Sequence, residues 1–286
     1  MRICSLLPSA TEIVGALGLT DSLVGVSHEC DWPPEVQRLP TITASRVDTT
    51  TLASAEIDTA VRDALADGLP LYAVDAELIE QLSPDLIVTQ DTCAVCAVST
   101  ADVREVCLVE ADLLSLDARS IAGIEESVKA LASALGVPDR AAPVVSEMRR
   151  RIEETRASVA GVEPRRVFMA EWLEPPFAAG HWVPEMVEAA GGLEVLGRAG
   201  EPSYPTTWRA VAEQEPELVV VAPCGFDAER AASEARKHEL PARAVAVDAN
   251  AYYSRPAPRI ADGIAQLAFL LHPDAAPDPG LPQIEI

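Results

Sequence analysis

Short apolar runs alternate with helix-patterned stretches in both halves of this chain, and that alternation limits the fold more than any other feature. Residues 3–7 are an apolar run, and Pro8-Ser9-Ala10-Thr11-Glu12 then opens a helix. Ser9 or Thr11 can cap it, Glu12 suits its first turn, and Ile13, Val14, Ala16 and Leu17 follow at helical spacing up to Gly18. Residues 23–26 and 86–89 read as further strands, 51–65, 77–82 and 121–135 as helices, and 106–116 holds strand material. A break at 136–140 and a charged helical stretch over 141–159 follow. The pattern then restarts, with strands at 167–170, 218–222 and 244–247 and helices at 184–190, 207–214, 228–237 and 259–271. Strands separated by helices in this way form parallel sheets covered on both faces. Pro84-Asp85-Leu86-Ile87-Val88 is echoed by Pro216-Glu217-Leu218-Val219-Val220, each after a short helix, so two similar α/β units are expected. The expected division is an N-terminal lobe over 1–136, a linking backbone helix over 137–161 and a C-terminal lobe over 162–286. A ligand cleft is expected between the lobes, and the proline- and aspartate-rich tail from Pro273 is expected to be loose.

In open parallel sheets, ligands bind beyond the carboxyl ends of the strands. Six loops hold that position: 8–9, 28–34 and 90–97 in the first half, and 171–182, 223–227 and 248–255 in the second. They carry Trp32, Trp172, Trp182 and the Tyr252-Tyr253 pair in a chain that is only 4% aromatic. Aromatic side chains gathered there suit a large, partly apolar ligand; the alternative is that each plugs its own loop.

Composition removes other partners. Lysine plus arginine is 22 against 45 aspartate plus glutamate, a formal net charge of -23. Such a surface repels nucleic acid and anionic membranes and favours solubility. No stretch has the length of a spanning helix, and Pro8 and Glu12 interrupt the apolar start that a secretory signal needs. The chain is therefore expected to be cytoplasmic and monomeric, with no membrane insertion.

Six cysteines without an export signal read as reduced thiols. Cys93 and Cys96 form a Cys-x-x-Cys pair in one strand-end loop, and His28 and Cys30 lie in another at the same end of the same sheet. Together they can form a tetrahedral site for zinc or another soft metal; a redox pair, or thiols simply packed in the wall, are the alternatives. Cys4 and Cys107 suit a core, and Cys224 ends an apolar strand. His181, in Phe177-Ala178-Ala179-Gly180-His181-Trp182, suits either a ligand or metal contact or an ordinary hydrogen-bonded loop residue. Glu171 and Glu174 flank Trp172, yet no nucleophile or base partner accompanies them. No Gly-rich phosphate loop, His-Glu-x-x-His or Gly-x-Ser-x-Gly occurs. Binding is expected rather than catalysis; the alternative is a metal- or thiol-dependent enzyme built on His28, Cys30, Cys93 and Cys96.

Several segments carry a resemblance that runs from about Ile3 to Leu271. They are Ser5-Leu6-Leu7-Pro8-Ser9-Ala10-Thr11-Glu12, Gly25-Val26-Ser27, Asp31-Trp32-Pro33-Pro34 and Leu82-Ser83-Pro84-Asp85-Leu86-Ile87-Val88. Arg166-Val167-Phe168, Pro175-Pro176-Phe177-Ala178-Ala179-Gly180, Ala190-Gly191-Gly192 and Pro258-Arg259-Ile260 complete the set. In order and spacing the chain resembles the periplasmic cobalamin-binding proteins, within the helical-backbone substrate-binding proteins of metal-chelate ABC transporters. The resemblance implies two lobes joined by one long helix around 137–161. It also implies a corrinoid or similar metal chelate gripped by aromatic and backbone contacts. Residues of the Pro8-Ser9 loop, Trp32 and Phe177 match family ligand contacts; Trp172, Gly180, His181, Trp182, Tyr252 and Tyr253 fall in the same cleft loops. Glu77 aligns with the first of two glutamates that dock on the permease, Arg209 with the second, and Ala251 with an acidic ligand contact. The stretches around Cys93-Cys96 and 49–69 lie outside the family pattern. The resemblance thus implies a corrinoid-binding protein of transporter type, or a cytoplasmic corrinoid carrier or sensor.

Overall fold

A computed structural model describes residues 1–91, 98–106 and 110–286. The chain forms two compact units, one of residues 1–52, 56–118 and 123–145, the other of 53–55, 119–122 and 146–286.

The first unit is built on a four-stranded parallel sheet of β1 (Ile3–Ser5), β2 (Leu23–Val26), β5 (Leu86–Thr89) and β6 (Asp112–Ser115), in the order β2-β1-β5-β6. Helix α1 (Pro8–Ala16) follows β1 directly, with proline in its first turn, where a missing N–H costs nothing. β3 (Thr43–Ser45) and β4 (Tyr72–Val74) form a separate antiparallel pair around α2 (Ser54–Ala66). Helices α3 (Ala76–Leu82), α4 (Thr100–Val106) and α5 (Ile121–Ala134) complete the set. Cys4, Leu6, Ile42, Ile79, Ile87, Val98 and Val103 form one buried cluster. Gly25 lets that cluster close, because a Cβ there would lie 2.9 Å from Leu82 and 3.0 Å from Ile42. Cys4 is thus a core residue as expected, whereas Cys107 lies outside the described residues. The sequence pattern missed α4 and the β3–β4 pair, both too short to show a period of their own.

Helix α6 (Ala141–Ser158) carries the chain onward, burying Ala141, Val145, Met148 and Ile152 along one face at the spacing of helical turns. Its other face carries the ion pairs Arg150–Glu147 and Arg156–Glu153, each 2.6 Å, as a solvated face does.

The second unit has a seven-stranded mixed sheet in the order β10-β8-β7-β11-β12-β13, with β9 also paired to β7. Its strands are β7 (Arg165–Leu173), β8 (Pro176–Ala178), β9 (Gly192–Glu194), β10 (Tyr204–Pro205), β11 (Leu218–Val221), β12 (Arg243–Val247) and β13 (Gln283–Glu285). Helices α7 (Val183–Ala189), α8 (Trp208–Glu213), α9 (Ala228–Ala235), α10 (Ala249–Tyr252) and α11 (Ile260–Leu271) fall between them. The β7-β11-β12 centre is parallel and wholly apolar where it is covered: every residue of β11 is buried. Burial of each such valine or leucine stabilises the fold by about 1.5–3 kcal/mol.

Two expectations change here. The sheet is not purely parallel, because β8 turns back antiparallel on β7 and β13 runs antiparallel to β12. The tail is not loose: Val247, Ala246 and Val245 pair with Gln283, Ile284 and Glu285, and Gln266 Nε2 donates to the Pro282 carbonyl at 3.0 Å. The exposed edge of β12 supplies the ladder, and the tail takes it.

Candidate functional site

In the first unit, the strand-to-helix turn after β1 is fixed from inside. Thr11 Oγ1 donates to Ser5 Oγ at 2.8 Å, and Cys30 Sγ lies 3.1 Å from the same Thr11 oxygen. Ser9 is buried and Pro8 half-buried at this turn. Trp32 is 44% exposed, a large apolar ring partly in solvent. The Trp32-Pro33 bond is cis.

His28 and Cys30 do not come together as metal ligands. His28 Nδ1 lies 2.7 Å from Thr43 Oγ1, and its Nε2 is 3.4 Å from a carboxylate oxygen of Glu29. Burial pushes the His28 imidazole below its usual range, against the pull of Glu29. The Cys30 thiol is engaged with Thr11. Among the described residues, no group of three or more His, Cys, Asp or Glu side chains is placed to hold a metal ion. Cys93 and Cys96 lie outside those residues. The expectation of zinc at this cluster therefore has no support.

In the second unit, the segment read as a loop over 171–182 is largely a hairpin. β7 runs on through Trp172 to Leu173, and β8 returns with Phe177 opposite Trp172 and Pro176 opposite Leu173. Trp172 and Phe177 are thus cross-strand partners on one face, both half-buried. Trp172 also packs edge-on against Phe226 with ring centroids 5.3 Å apart, and the Arg230 guanidinium sits 3.8 Å over that Phe226 ring. Asp227 fixes Arg230 by capping α9, accepting the Arg230 backbone N–H at 2.8 Å. The sequence pattern does not single out Phe226 or Arg230, although loop 223–227 is among the six strand-end loops.

The Glu171 carboxylate accepts the Gly180 N–H at 3.1 Å and so holds the turn. Gly180 is buried against residues 201–203, and His181 follows with φ +50. His181 donates its N–H to the Glu201 carbonyl at 2.7 Å, and its own carbonyl accepts from the Gly200 N–H at 2.9 Å. Its ring Nε2 is buried without a hydrogen-bond partner. Burial, then the Arg119 charge, push its imidazole below the usual range.

The remaining aromatic candidates separate. Trp182 is buried and donates its indole N–H to the Tyr253 carbonyl at 2.9 Å. Tyr253 is buried, with its hydroxyl 2.9 Å from Gln266 Oε1 and 3.2 Å from the Gly263 carbonyl, and burial pushes that hydroxyl well above its usual range. Both are core residues of this unit. Tyr252 stays half-exposed, with the Arg259 guanidinium 4.8 Å from its ring. Asp248 caps α10 through the Ala251 N–H at 2.9 Å; burial, then Asp227, push its carboxyl up.

The turns that open α2 and α5 belong to this unit as well. Glu185 accepts the Ile121 N–H at 2.6 Å, and Glu234 accepts the Ser54 N–H and hydroxyl, each at 3.3 Å. Two carboxylates thus satisfy helix N–H groups that have no partner within their own helix.

The chain is 24% identical over 281 residues to the "Vitamin B12-binding protein" of Vibrio cholerae, covering 94% of this chain and 88% of the relative. It is 25% identical over 287 residues to the "Cobalamin-binding protein" of Halobacterium salinarum, covering 95% and 69%. Its fold matches a periplasmic heme binding protein from Pseudomonas aeruginosa with a TM-score of 0.73 at 22% identity, over 96% of this chain and 93% of that one. It also matches the periplasmic vitamin B12 binding protein of Vibrio cholerae with a TM-score of 0.68 at 23% identity, over 94% and 96%. A family model described as periplasmic binding protein spans residues 3–257, and the chain belongs to that family.

Proposed function

We propose that this protein binds cobalamin or a related corrinoid and acts as the binding component of an ABC importer. The observation that carries the reading is similarity over nearly the whole chain to relatives named for vitamin B12 or cobalamin. The strand-end aromatics give it a physical basis. Trp32, Trp172, Phe177 and Tyr252 remain at least partly exposed, and they suit the broad, partly apolar faces of a corrin. Pro8, Ser9, Gly180 and His181 complete the proposed contacts. A family of binding proteins favours binding over catalysis. On the permease side, Glu77 is the proposed docking residue, and Arg209 stands in place of the second docking glutamate. Place of action follows the family and not the cytoplasmic expectation: we place the protein outside the cytoplasmic membrane. No helix among the described residues is long and apolar enough to cross a membrane.

The test is fractionation of a corrinoid-supplemented native host, then purification with absorbance and cobalt analysis. Corrinoid bands with one cobalt per chain, recovered outside the cytosol, are expected. Phe177→Ala should weaken cyanocobalamin binding about tenfold to a hundredfold, the loss of one buried aromatic contact. A colourless protein that shows no spectral change with excess cyanocobalamin, but does with hemin, overturns the corrinoid. A pool confined to the cytosol overturns the placement.

Tyr253→Phe is the control. Removing a buried hydroxyl with good partners should lower stability by about 1–2 kcal/mol in urea unfolding while leaving cyanocobalamin affinity unchanged. Weakened binding at unchanged stability would return Tyr253 to the site.

A further inference from the structure

Trp172 is held from behind by a contact no strand-end pattern anticipates. Its indole N–H donates to the Ser54 carbonyl at 3.1 Å, 118 residues away in sequence. Ser54 is 1% exposed, and the Glu234 carboxylate clamps it: one oxygen, Oε2, accepts both its N–H and its hydroxyl at 3.3 Å. The other oxygen, Oε1, takes the Lys237 ammonium at 2.5 Å. Lys237, Glu234, Ser54 and Trp172 therefore form one chain of bonds from α9's end to the indole, with each carboxylate oxygen assigned its own partners. The indole has a single donor, and this chain uses it. Its ring then packs edge-on with Phe226, and Phe177 stands opposite Trp172 in the hairpin register.

We propose that Glu234 and Ser54 are positioning residues for Trp172: the 53–55 turn is a strap that fixes the indole and thereby sets how long a bound ligand is retained. The ligand part rests on the corrinoid reading, whereas the positioning does not. An indole locked before binding loses no further rotamer freedom on contact, so loosening it acts mainly on dissociation. Serine at 54 is the first residue of α2, a place where proline is tolerated, so Ser54→Pro removes the N–H donor without breaking the helix.

The experiment uses the full chain with 15N-labelled tryptophan. Its four indole N–H resonances are separated by substituting each tryptophan in turn. In Glu234→Ala and in Ser54→Pro, the Trp172 indole resonance should shift and exchange faster with water, while those of Trp32, Trp182 and Trp208 stay in place. Cyanocobalamin should then dissociate roughly five- to tenfold faster, the worth of one hydrogen bond, with the association rate nearly unchanged. An unmoved Trp172 resonance in both variants overturns the strap, and so does movement of all four, which marks a general structural role. If the wild-type protein binds no cyanocobalamin, the corrinoid reading falls and the strap stands or falls on the resonance alone.

Discussion

Replacing Gly180 with alanine should lower the stability of the protein by roughly 3 kcal/mol or more, or prevent folding outright. A Cβ at this position would lie 2.3 Å from the Ser203 nitrogen, 2.6 Å from the Glu201 oxygen and 2.6 Å from the Pro202 carbonyl carbon. All three are backbone atoms, so no flexible side-chain end can swing aside. The segment they belong to is itself tied to the same turn, because Glu201 accepts the His181 N–H at 2.7 Å. Gly180 in turn gives its own N–H to Glu171 at 3.1 Å, and Gly200 bonds the His181 carbonyl at 2.9 Å. Relief of the clash must break one of these bonds or shift Phe177, three residues upstream on β8. Gly200 is the comparison: it has φ +76, and a Cβ added there would meet nothing within 4 Å, so Gly200→Ala carries only the backbone cost, about 1 kcal/mol. Thermal unfolding should show a fall of roughly 6–12 °C for Gly180→Ala and a few degrees for Gly200→Ala. Equal, small shifts for the two would mean that residues 201–203 can retreat, and the tight cradle would then not be what shapes the His181 turn.

Much of this architecture is legible in the sequence because its signals are local. The apolar runs at Leu86–Thr89 and Leu218–Val221 are strands, and the Gly191-Gly192 pair ends α7 with Gly191 at φ +79. The errors come where a segment's state is set by a distant partner. The tail pairs with β12 although its prolines mark it as loose; the alternation in Gln283-Ile284-Glu285-Ile286 is the visible signal. The aromatic clustering picks out Trp172 and Phe177, and the hairpin then places them opposite each other, a register that no composition rule contains. Adjacent Tyr252 and Tyr253 diverge, because consecutive residues of a helical turn point in different directions. Tyr253 turns inward to Gln266 and Tyr252 outward to Arg259. Cysteine spacing says least, since the partner of Cys30 is Thr11, a residue on α1 that carries no metal signal. Phe226, Arg230 and the Ser54–Glu234 contact depend on approach in space alone.

Glu194 should make the protein less stable as pH rises from about 4.5 to above 7. Its buried carboxyl accepts backbone N–H groups from Met169 at 2.9 Å, Leu196 at 3.2 Å and Gly197 at 3.0 Å, and so closes the turn after β9 onto β7. Burial pushes the carboxyl up to about 7, and the backbone donors oppose the rise without cancelling it. In the unfolded chain the same group titrates near the ordinary glutamate value of 4.5. A raised folded pKa means that the native state binds the proton more tightly than the unfolded state does. The resulting stabilisation is therefore complete below about 4.5 and is lost as pH climbs through 7, a swing of about 3 kcal/mol. Other carboxylates titrate in the same range with the opposite sign, so the difference between wild type and Glu194→Gln is the quantity to follow in urea unfolding at several pH values. The amide stays neutral and of similar shape, and keeps one acceptor oxygen for the turn. Wild type should gain on the variant as pH falls from 8 to 5, by about 3 kcal/mol at most. A constant difference across that range would show that the carboxyl stays ionised in the folded protein, with its backbone donors outweighing burial.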